Sequence, residues 1–438
     1  MTTIRIEDLK NYEAQTVKLQ GWVANKRTGK GLVFIVLRDG SGFTQCVVTE
    51  AEVKAEHFED AKKLGLESSV ELCGKVVKDD RQMGGYELQV TDVQVIQFSE
   101  DYPIAKKEHG IEFLMDNRHL WLRSKRQWAI MRIRSRAKYA IHTFFQERGF
   151  IQTDAPIFTG NACEGTTTLF ETDFYGETAY LSQSGQLYAE ATAMALGKVY
   201  TFGPTFRAEK SKTRRHLSEF WMIEPEMAFY NLEMNMDLIE EFLKYVVNDI
   251  LKTHRAELDI LERDLSLFEN IDETFPRITY TDAVKILRGE LEVNGKTSIQ
   301  ILEDGEDFGG SDETVLTRMY NAPIMVFNWP KAIKAFYMKR DEENPEFVKG
   351  VDVLAPEGFG EIVGGAERES DHDLLLQRIK DHDLPQEAFD WYLDLRKYGS
   401  VPHAGFGLGF ERLVMWLTNS SHIRETIPMP RYYGKLNP

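Results

Sequence analysis

Only three cysteines occur in 438 residues (Cys46, Cys73 and Cys163), and none forms a Cys-x-x-Cys pair. An odd, widely spaced set argues against both a disulfide framework and a cysteine-based zinc site. No apolar run approaches the roughly 18 residues that a membrane-spanning helix needs. The N-terminal MTTIRIEDLKNYEAQ also lacks the basic-then-apolar layout of an export signal. A reducing, cytoplasmic setting with no membrane partner is therefore expected. Positive charge is in deficit: 53 Lys and Arg against 70 Asp and Glu leave −17 with histidine neutral, which excludes a non-specific nucleic-acid coat. The histidines are scattered, with no HExxH, so they suggest no metal centre. Two phosphate-binding signatures are missing as well. GxxxxGK[ST] does not occur, and the glycine-rich run GFGLGFERL at 405–413 has neither the dinucleotide-binding spacing nor a following βαβ unit.

What is present is organised. Basic residues cluster at 118–138 and 207–215 while acids pool in 231–316 and 341–394, a distribution that suits a selective polyanion binder. Residues 16–98 read as five strands with a helix, AEHFEDAKKLGLE, between the third and fourth. That is the pattern of an OB-fold, although a generic small β-barrel fits the strand pattern equally well. Segment 101–127, with Pro103, Gly110 and mixed charge, reads as a connector. A helix is expected over 127–148, ended by Gly149 and followed by an extended segment carrying Pro156. Amphipathic helices and short strands fill the rest. The fold class expected is α+β, divided into a barrel (1–100), a connector (101–127) and a mixed body (128–438).

Three stretches of that body carry chemistry. In Phe206-Arg207-Ala208-Glu209, strand alternation puts Arg207 and Glu209 on one face. In EFWMIEPE at 219–226, Glu224 and Glu226 share a face, and the basic connection KSKTRRHLS joins the two strands. A hairpin of this kind offers Arg207 to an α-phosphate, Arg214, Arg215 and His216 to distal phosphates, and Phe220 as a plate for a base. In GFGLGFERL, alternate glycines strip side chains from one strand face, letting a flat ligand approach, before a helix begins near Glu411 and Arg412. Taken singly, each stretch reads equally well as a surface hairpin with ion pairs or a tight strand–helix contact.

In this order, and behind a small barrel, the stretches resemble the class II aminoacyl-tRNA synthetases of the aspartyl, asparaginyl and lysyl subclass, across nearly the whole chain. Gly149–Pro156 is similar to motif 1, FRAE…EFWMIEPE to motif 2 and GFGLGFERL to motif 3. The resemblance implies adenine held between Phe220 and Arg412, with Glu209 on the adenine side. It implies that Arg207 bridges the amino acid carboxylate and the α-phosphate, and that Arg215 and His216 serve the γ-phosphate. Asp352 and Glu361 correspond to magnesium carboxylates, although the connection between them, APEGFG, is longer than in the bacterial aspartyl pattern. Arg207, Glu361 and Arg412 are the expected catalytic groups, ATP and Mg²⁺ the expected cofactors, and a homodimer through motif 1 the expected assembly.

The amino acid pocket implied by the resemblance is Glu164, Ser184 and Gln186 around the α-ammonium group and Arg368 toward the side-chain carbonyl oxygen. His403 is expected at its rim. Aspartyl members carry a lysine where this chain has Ala189, and an aspartate where it has Glu224. A buried substrate carboxylate needs positive charge, whereas Glu224 can accept a hydrogen bond from an amide NH2, so asparagine and tRNA(Asn) are the expected substrates. In the barrel, Phe34 would stack on the middle anticodon base, with Arg27 and Gln45 on its edges. Without the resemblance, Phe34 reads as a core aromatic. The alternatives are an aspartyl enzyme, including one charging both tRNAs, an adenylate-forming asparagine synthetase, and a non-catalytic tRNA-binding paralogue.

Overall fold

Alternating burial shapes the first strands of the chain. Alternation turns side chains inward along Thr16–Gly29 (β1) as far as Val23, and along most of Leu32–Arg38 (β2) and Phe43–Thr49 (β3); Leu19, Val33, Ile35, Leu37, Cys46 and Val48 are fully buried. Ser69–Lys78 (β4) and Tyr86–Gln97 (β5) complete the ring. The hydrogen-bonded order is β1-β2-β3-β5-β4, and β4 pairs back onto β1, so no edge is left open. Only β3 and β5 run parallel within the ring. Helix α1 (Ala55–Lys63), inserted after β3, packs Phe58 and Ala61 into the barrel core. Five strands in this closed order, with the helix after the third, make the OB-fold.

The computed structural model describes residues 1–82, 84–105, 107–160, 169–300 and 302–438, which form two units, Met1–Ser124 and Lys125–Pro438. Within the segment read as a connector, the chain forms helices Ile111–Asp116 and Arg118–Trp121. Met115, Arg118 and Trp121 are buried there, and Tyr102 donates its hydroxyl to Leu120 O at 2.8 Å. The apolar residues of IEFLMD and RHLW are what draw this stretch out of extended form.

The second unit starts with α2 (Lys125–Glu147), two residues ahead of the expected start, burying Ile130, Ile133, Ala137, Ile141 and Phe144 at helical spacing. Its eight-stranded sheet comprises Ile151–Gln152 (β6), Lys198–Phe206 (β7), Glu219–Ala228 (β8), Arg277–Thr279 (β9), Ile324–Pro330 (β10), Phe347–Ala355 (β11), Gly360–Glu367 (β12) and His403–Gly409 (β13). The order is β9-β10-β11-β12-β13-β8-β7-β6, antiparallel throughout except for the outermost pair at each end. Ile223, Val351, Val363, Phe406 and Leu408 share one core with α2 and with helices Leu232–Thr253 and Phe410–Thr418. Alternation turns Met222, Glu224, Glu226, Asp352 and the glycines of β13 to the opposite face, where the candidate site lies.

The arginines of α2 do not form a basic surface, contrary to expectation. Arg132 pairs with Glu257, Arg134 with Glu411 and Arg136 with Asp249, at 2.6–2.7 Å. Partners that lie far away in sequence neutralise the run when the helix packs.

Candidate active site

Three lobes of one depression meet at Glu361. The first is bordered by Arg207, Glu209, His216, Phe220, Glu411 and Arg412. Here the Arg207 guanidinium lies 5.4 Å from the Phe220 ring centre. Arg412 donates to Glu361 twice, to the backbone oxygen at 2.9 Å and to the carboxylate at 3.1 Å. Cationic planes around an aromatic plate suit a nucleobase. Arg215, His216, Glu361 and Arg412 continue into another lobe with Arg214 and Lys334, a cation-rich wall suited to phosphates. In it Arg215 is held by Glu313 at 2.9 Å, Thr314 at 3.0 Å and the Gly358 carbonyl.

The amino acid lobe is bordered by Ser184, Gln186, Arg207, Glu224, Lys334 and Arg368, among others. Glu224, 3% exposed, accepts hydrogen bonds from the Ser184 hydroxyl, the Gly185 N–H at 2.8 Å and the Thr201 hydroxyl at 3.3 Å. Arg368 reaches across the sheet to Glu226, donating at 2.5 and 3.4 Å, with both groups buried. Burial pushes the Glu226 carboxyl up to about 8; Arg368 opposes this, while the neighbouring Glu190 and Glu224 reinforce it. The glycines of β13 make this arrangement possible in an unexpected way. A Cβ on Gly405 would fall 2.2 Å from the Glu226 carboxyl, so Gly405 clears space for a protein carboxylate.

Asp352 and Glu361 face the same cavity because of a bulge. Asp352 pairs with Gly364 and Val353 with Val363, but Leu354 pairs with Glu361, leaving Ile362 as an extra residue on β12. Without that insertion, the period of two would send Glu361 to the helix-covered face. The long connection is taken up at the hairpin tip, where Glu357, Gly358 and Gly360 adopt positive φ, so it leaves both carboxylates on the cavity side. Burial pushes Asp352 up to about 6 against the pull of Lys334, which it contacts at 2.5 Å; Glu361 adds to the rise. Burial also raises Glu361, but Arg412 and Lys334 outweigh it and bring Glu361 below its ordinary value. Among the described residues, no three His, Cys, Asp or Glu side chains form a complete metal cage. Two crowded carboxylates nonetheless fit magnesium, which keeps several waters and takes its remaining ligands from substrate phosphates.

The geometry has its counterparts. A family model described as tRNA synthetases class II (D, K and N) matches residues 110–433, and one described as an OB-fold nucleic acid binding domain matches residues 17–96. The chain belongs to the class II tRNA synthetases. This synthetase is 54% identical to the asparagine–tRNA ligase of Symbiobacterium thermophilum over 439 residues, covering 100% of both chains. It is 53% identical to that of Deinococcus deserti over 442 residues, covering 99% of both. Among solved structures, it resembles asparaginyl-tRNA synthetase from Pyrococcus horikoshii complexed with asparaginyl-adenylate, with TM-score 0.93, 41% identity and 99% of each chain covered. Aspartyl tRNA synthetase from Entamoeba histolytica is similar at 27% identity and TM-score 0.84, covering 100% of this chain and 93% of that one.

Two residues of the synthetase stand elsewhere than expected, and one is outside the described region. Ala189 borders no lobe of the depression; it is 1% exposed and packs with Ala193 and Val199, since a methyl group cannot reach where a lysine would. His403 is not at the rim but fully buried, its Nε2 2.9 Å from Glu190. Glu164 lies outside the described residues. Glu190, Lys334 and Glu313 are the chemistry-bearing residues that the motifs did not mark. Their signal is contact with partners remote in sequence: Arg396 for Glu190, Asp352 for Lys334, Arg215 for Glu313.

On the barrel of the synthetase, Arg27 pairs with Phe34 across β1 and β2, its guanidinium 5.7 Å from the ring centre. Gln45 sits opposite Val36 and donates to Glu87 at 3.0 Å. Since Val33 and Ile35 point inward, Phe34 points outward, half-buried, on the face shared by Arg27 and Gln45. Phe34→Ala is expected to raise the KM for tRNA roughly tenfold or more, at ~1–3 kcal/mol per stacked base. Pyrophosphate exchange without tRNA should stay within twofold; a similar fall in that exchange would exclude an anticodon role.

Proposed function

We infer that this synthetase activates L-asparagine with ATP and transfers the asparaginyl group to tRNA(Asn). The observation that carries the amino acid assignment is how the basic groups of the amino acid lobe are engaged. Arg368 already donates to Glu226 and Lys334 to Asp352, so a substrate β-carboxylate would have to share both with protein carboxyls. Glu224 adds an acceptor that would repel an acid and receive an amide NH2. With Arg368 donating to the amide oxygen, a carboxamide satisfies both groups at once.

The reaction follows from the layout. The α-carboxylate of asparagine, ionised near neutral pH, attacks the α-phosphorus of ATP. A new O–P bond forms as the bond to pyrophosphate breaks, and no protein base is required. Arg207, which borders both the nucleobase and amino acid lobes, neutralises the charge gathering on the phosphoryl oxygens. Arg412 and Phe220 hold the adenine; Arg215 and His216 receive the leaving pyrophosphate; Ser184 and Gln186 hold the α-ammonium group. Asp352 and Glu361 would hold Mg²⁺, which supplies charge neutralisation to the triphosphate when bound. A hydroxyl of the terminal tRNA ribose then attacks the acyl carbonyl and AMP leaves.

A homodimer through the motif 1 region is supported by Ile151, Ile157 and Phe158, each more than 40% exposed on and beside edge strand β6. A cytoplasmic enzyme is in keeping with the lack, among the described residues, of any helix long and apolar enough to cross a membrane.

Pyrophosphate exchange measured separately with each amino acid tests the assignment. Exchange with asparagine is expected to exceed that with aspartate by about two orders of magnitude or more. Aspartate equal or better would establish the aspartyl reading, and formation of free asparagine from aspartate, ATP and ammonia would establish the synthetase of the free amino acid.

A further inference from the structure

Beneath the amino acid lobe lies a polar cluster that the reaction above does not use. Glu190, on helix Gln186–Leu196, has no solvent exposure, yet its carboxylate is surrounded by donors. Arg396 donates to Oε2 at 2.8 Å, and the His403 Nε2 lies 2.9 Å from the same oxygen. The Tyr392 hydroxyl donates to Oε1 at 2.7 Å, and the Gln186 side-chain nitrogen to the same oxygen at 3.1 Å. Arg396 is anchored in turn to the Glu369 carbonyl at 2.8 Å and to Tyr392 at 3.1 Å. Burial raises Glu190, but Arg396 and His403 outweigh it and hold the carboxyl well below its ordinary range, so it stays ionised.

An ionised carboxylate only accepts hydrogen bonds, whereas a primary amide has one end that donates and one that accepts. Gln186 can therefore meet Glu190 only through its NH2. Its oxygen is then left for the lobe that Gln186 borders, where an ammonium group needs an acceptor. A neutral glutamine in place of Glu190 could present either end, and the orientation of Gln186 would no longer be set.

We propose that Glu190 is a positioning residue for amino acid binding: its carboxylate, locked by Arg396, His403 and Tyr392, turns the Gln186 amide so that its oxygen receives the substrate α-ammonium group. The proposal rests on the reading of Gln186 as an ammonium ligand, and the experiment separates the two. Full-length Glu190→Gln, Gln186→Met and the double variant are compared in pyrophosphate exchange. The KM for asparagine is measured beside the inhibition constant of succinamic acid, which is asparagine without its α-amino group.

Glu190→Gln is expected to raise the KM for asparagine about tenfold with kcat within threefold. The inhibition constant of succinamic acid should stay within twofold. Gln186→Met should raise the KM at least as much, and the double variant should be no worse than Gln186→Met alone. An unchanged KM in Glu190→Gln, with Gln186→Met impaired, overturns the role of Glu190. An unchanged KM in both overturns the reading of Gln186 as well. An equal loss for asparagine and succinamic acid would mark Glu190 as merely structural and likewise overturn the proposal. Should Glu190→Gln fail to fold, Glu190→Gln with Arg396→Met removes both buried charges together, and the same comparison of asparagine with succinamic acid applies.

Discussion

Arg207→Ala is expected to lower asparagine-dependent pyrophosphate exchange by about 10³-fold, the scale of removing one donor aimed at developing charge. Arg207 borders the lobes for nucleobase and amino acid, and it lies over Phe220. Its loss therefore strikes at the point where carboxylate and α-phosphate must approach despite like charge. Arg207→Lys should recover little, because a single ammonium cannot bridge two oxygens as the planar guanidinium does. The KM for tRNA, which the proposed barrel contacts would set, is expected to change little. Exchange retained within tenfold of the unmodified protein would remove Arg207 from the reaction.

Arg134→Leu is expected to have the largest effect on stability, about 3–5 kcal/mol, the usual cost of leaving one member of a buried ion pair alone. Arg134 meets Glu411 at 2.6 Å with both side chains almost fully buried, and it donates to the Thr426 carbonyl at 3.0 Å. Glu411 also accepts the Trp221 N–H at 2.9 Å. One carboxylate thus ties together α2, which leads into motif 1, and β8 and helix Phe410–Thr418, which carry parts of motifs 2 and 3. Unfolding of the C-terminal unit followed in urea gives the readout. The double change Arg134→Met and Glu411→Gln should restore more than half of the loss, since no unpaired charge is then buried. A single variant as stable as the unmodified protein would show that water or another group reaches Glu411.

The barrel and the motif strands were legible because their information is local. Alternation along β1–β3 sets which side chains face inward, and the glycine spacing of 405–409 matches the cavity face of β13. What escaped was long-range pairing. The run Arg132, Arg134 and Arg136 suggested a basic surface, yet its three acids come from residues 249–411. Glu190 and Lys334 sit in unremarkable stretches, and their importance exists only once Arg396 and Asp352 have been folded against them. The site was visible where side chain and function share one strand, and hidden where a charge acts through a residue on another element.

The extra residue at Ile362 makes the hairpin of β11 and β12 unequal in its tolerance of length changes during evolution. A change of length at its tip, around Glu357 and Gly358, leaves both carboxylates facing the cavity and acts instead on the contacts of the tip, the Gly358 carbonyl on Arg215 and Glu357 on Arg263. Removing a single residue from the strand just beyond it would instead keep the ladder and invert the message, rotating Glu361 away from the nucleotide and into an oily layer of helices. Two neighbouring deletions, indistinguishable by size, would thus differ in kind: one loosens the anchor of Arg215, the other turns a carboxylate out of the site.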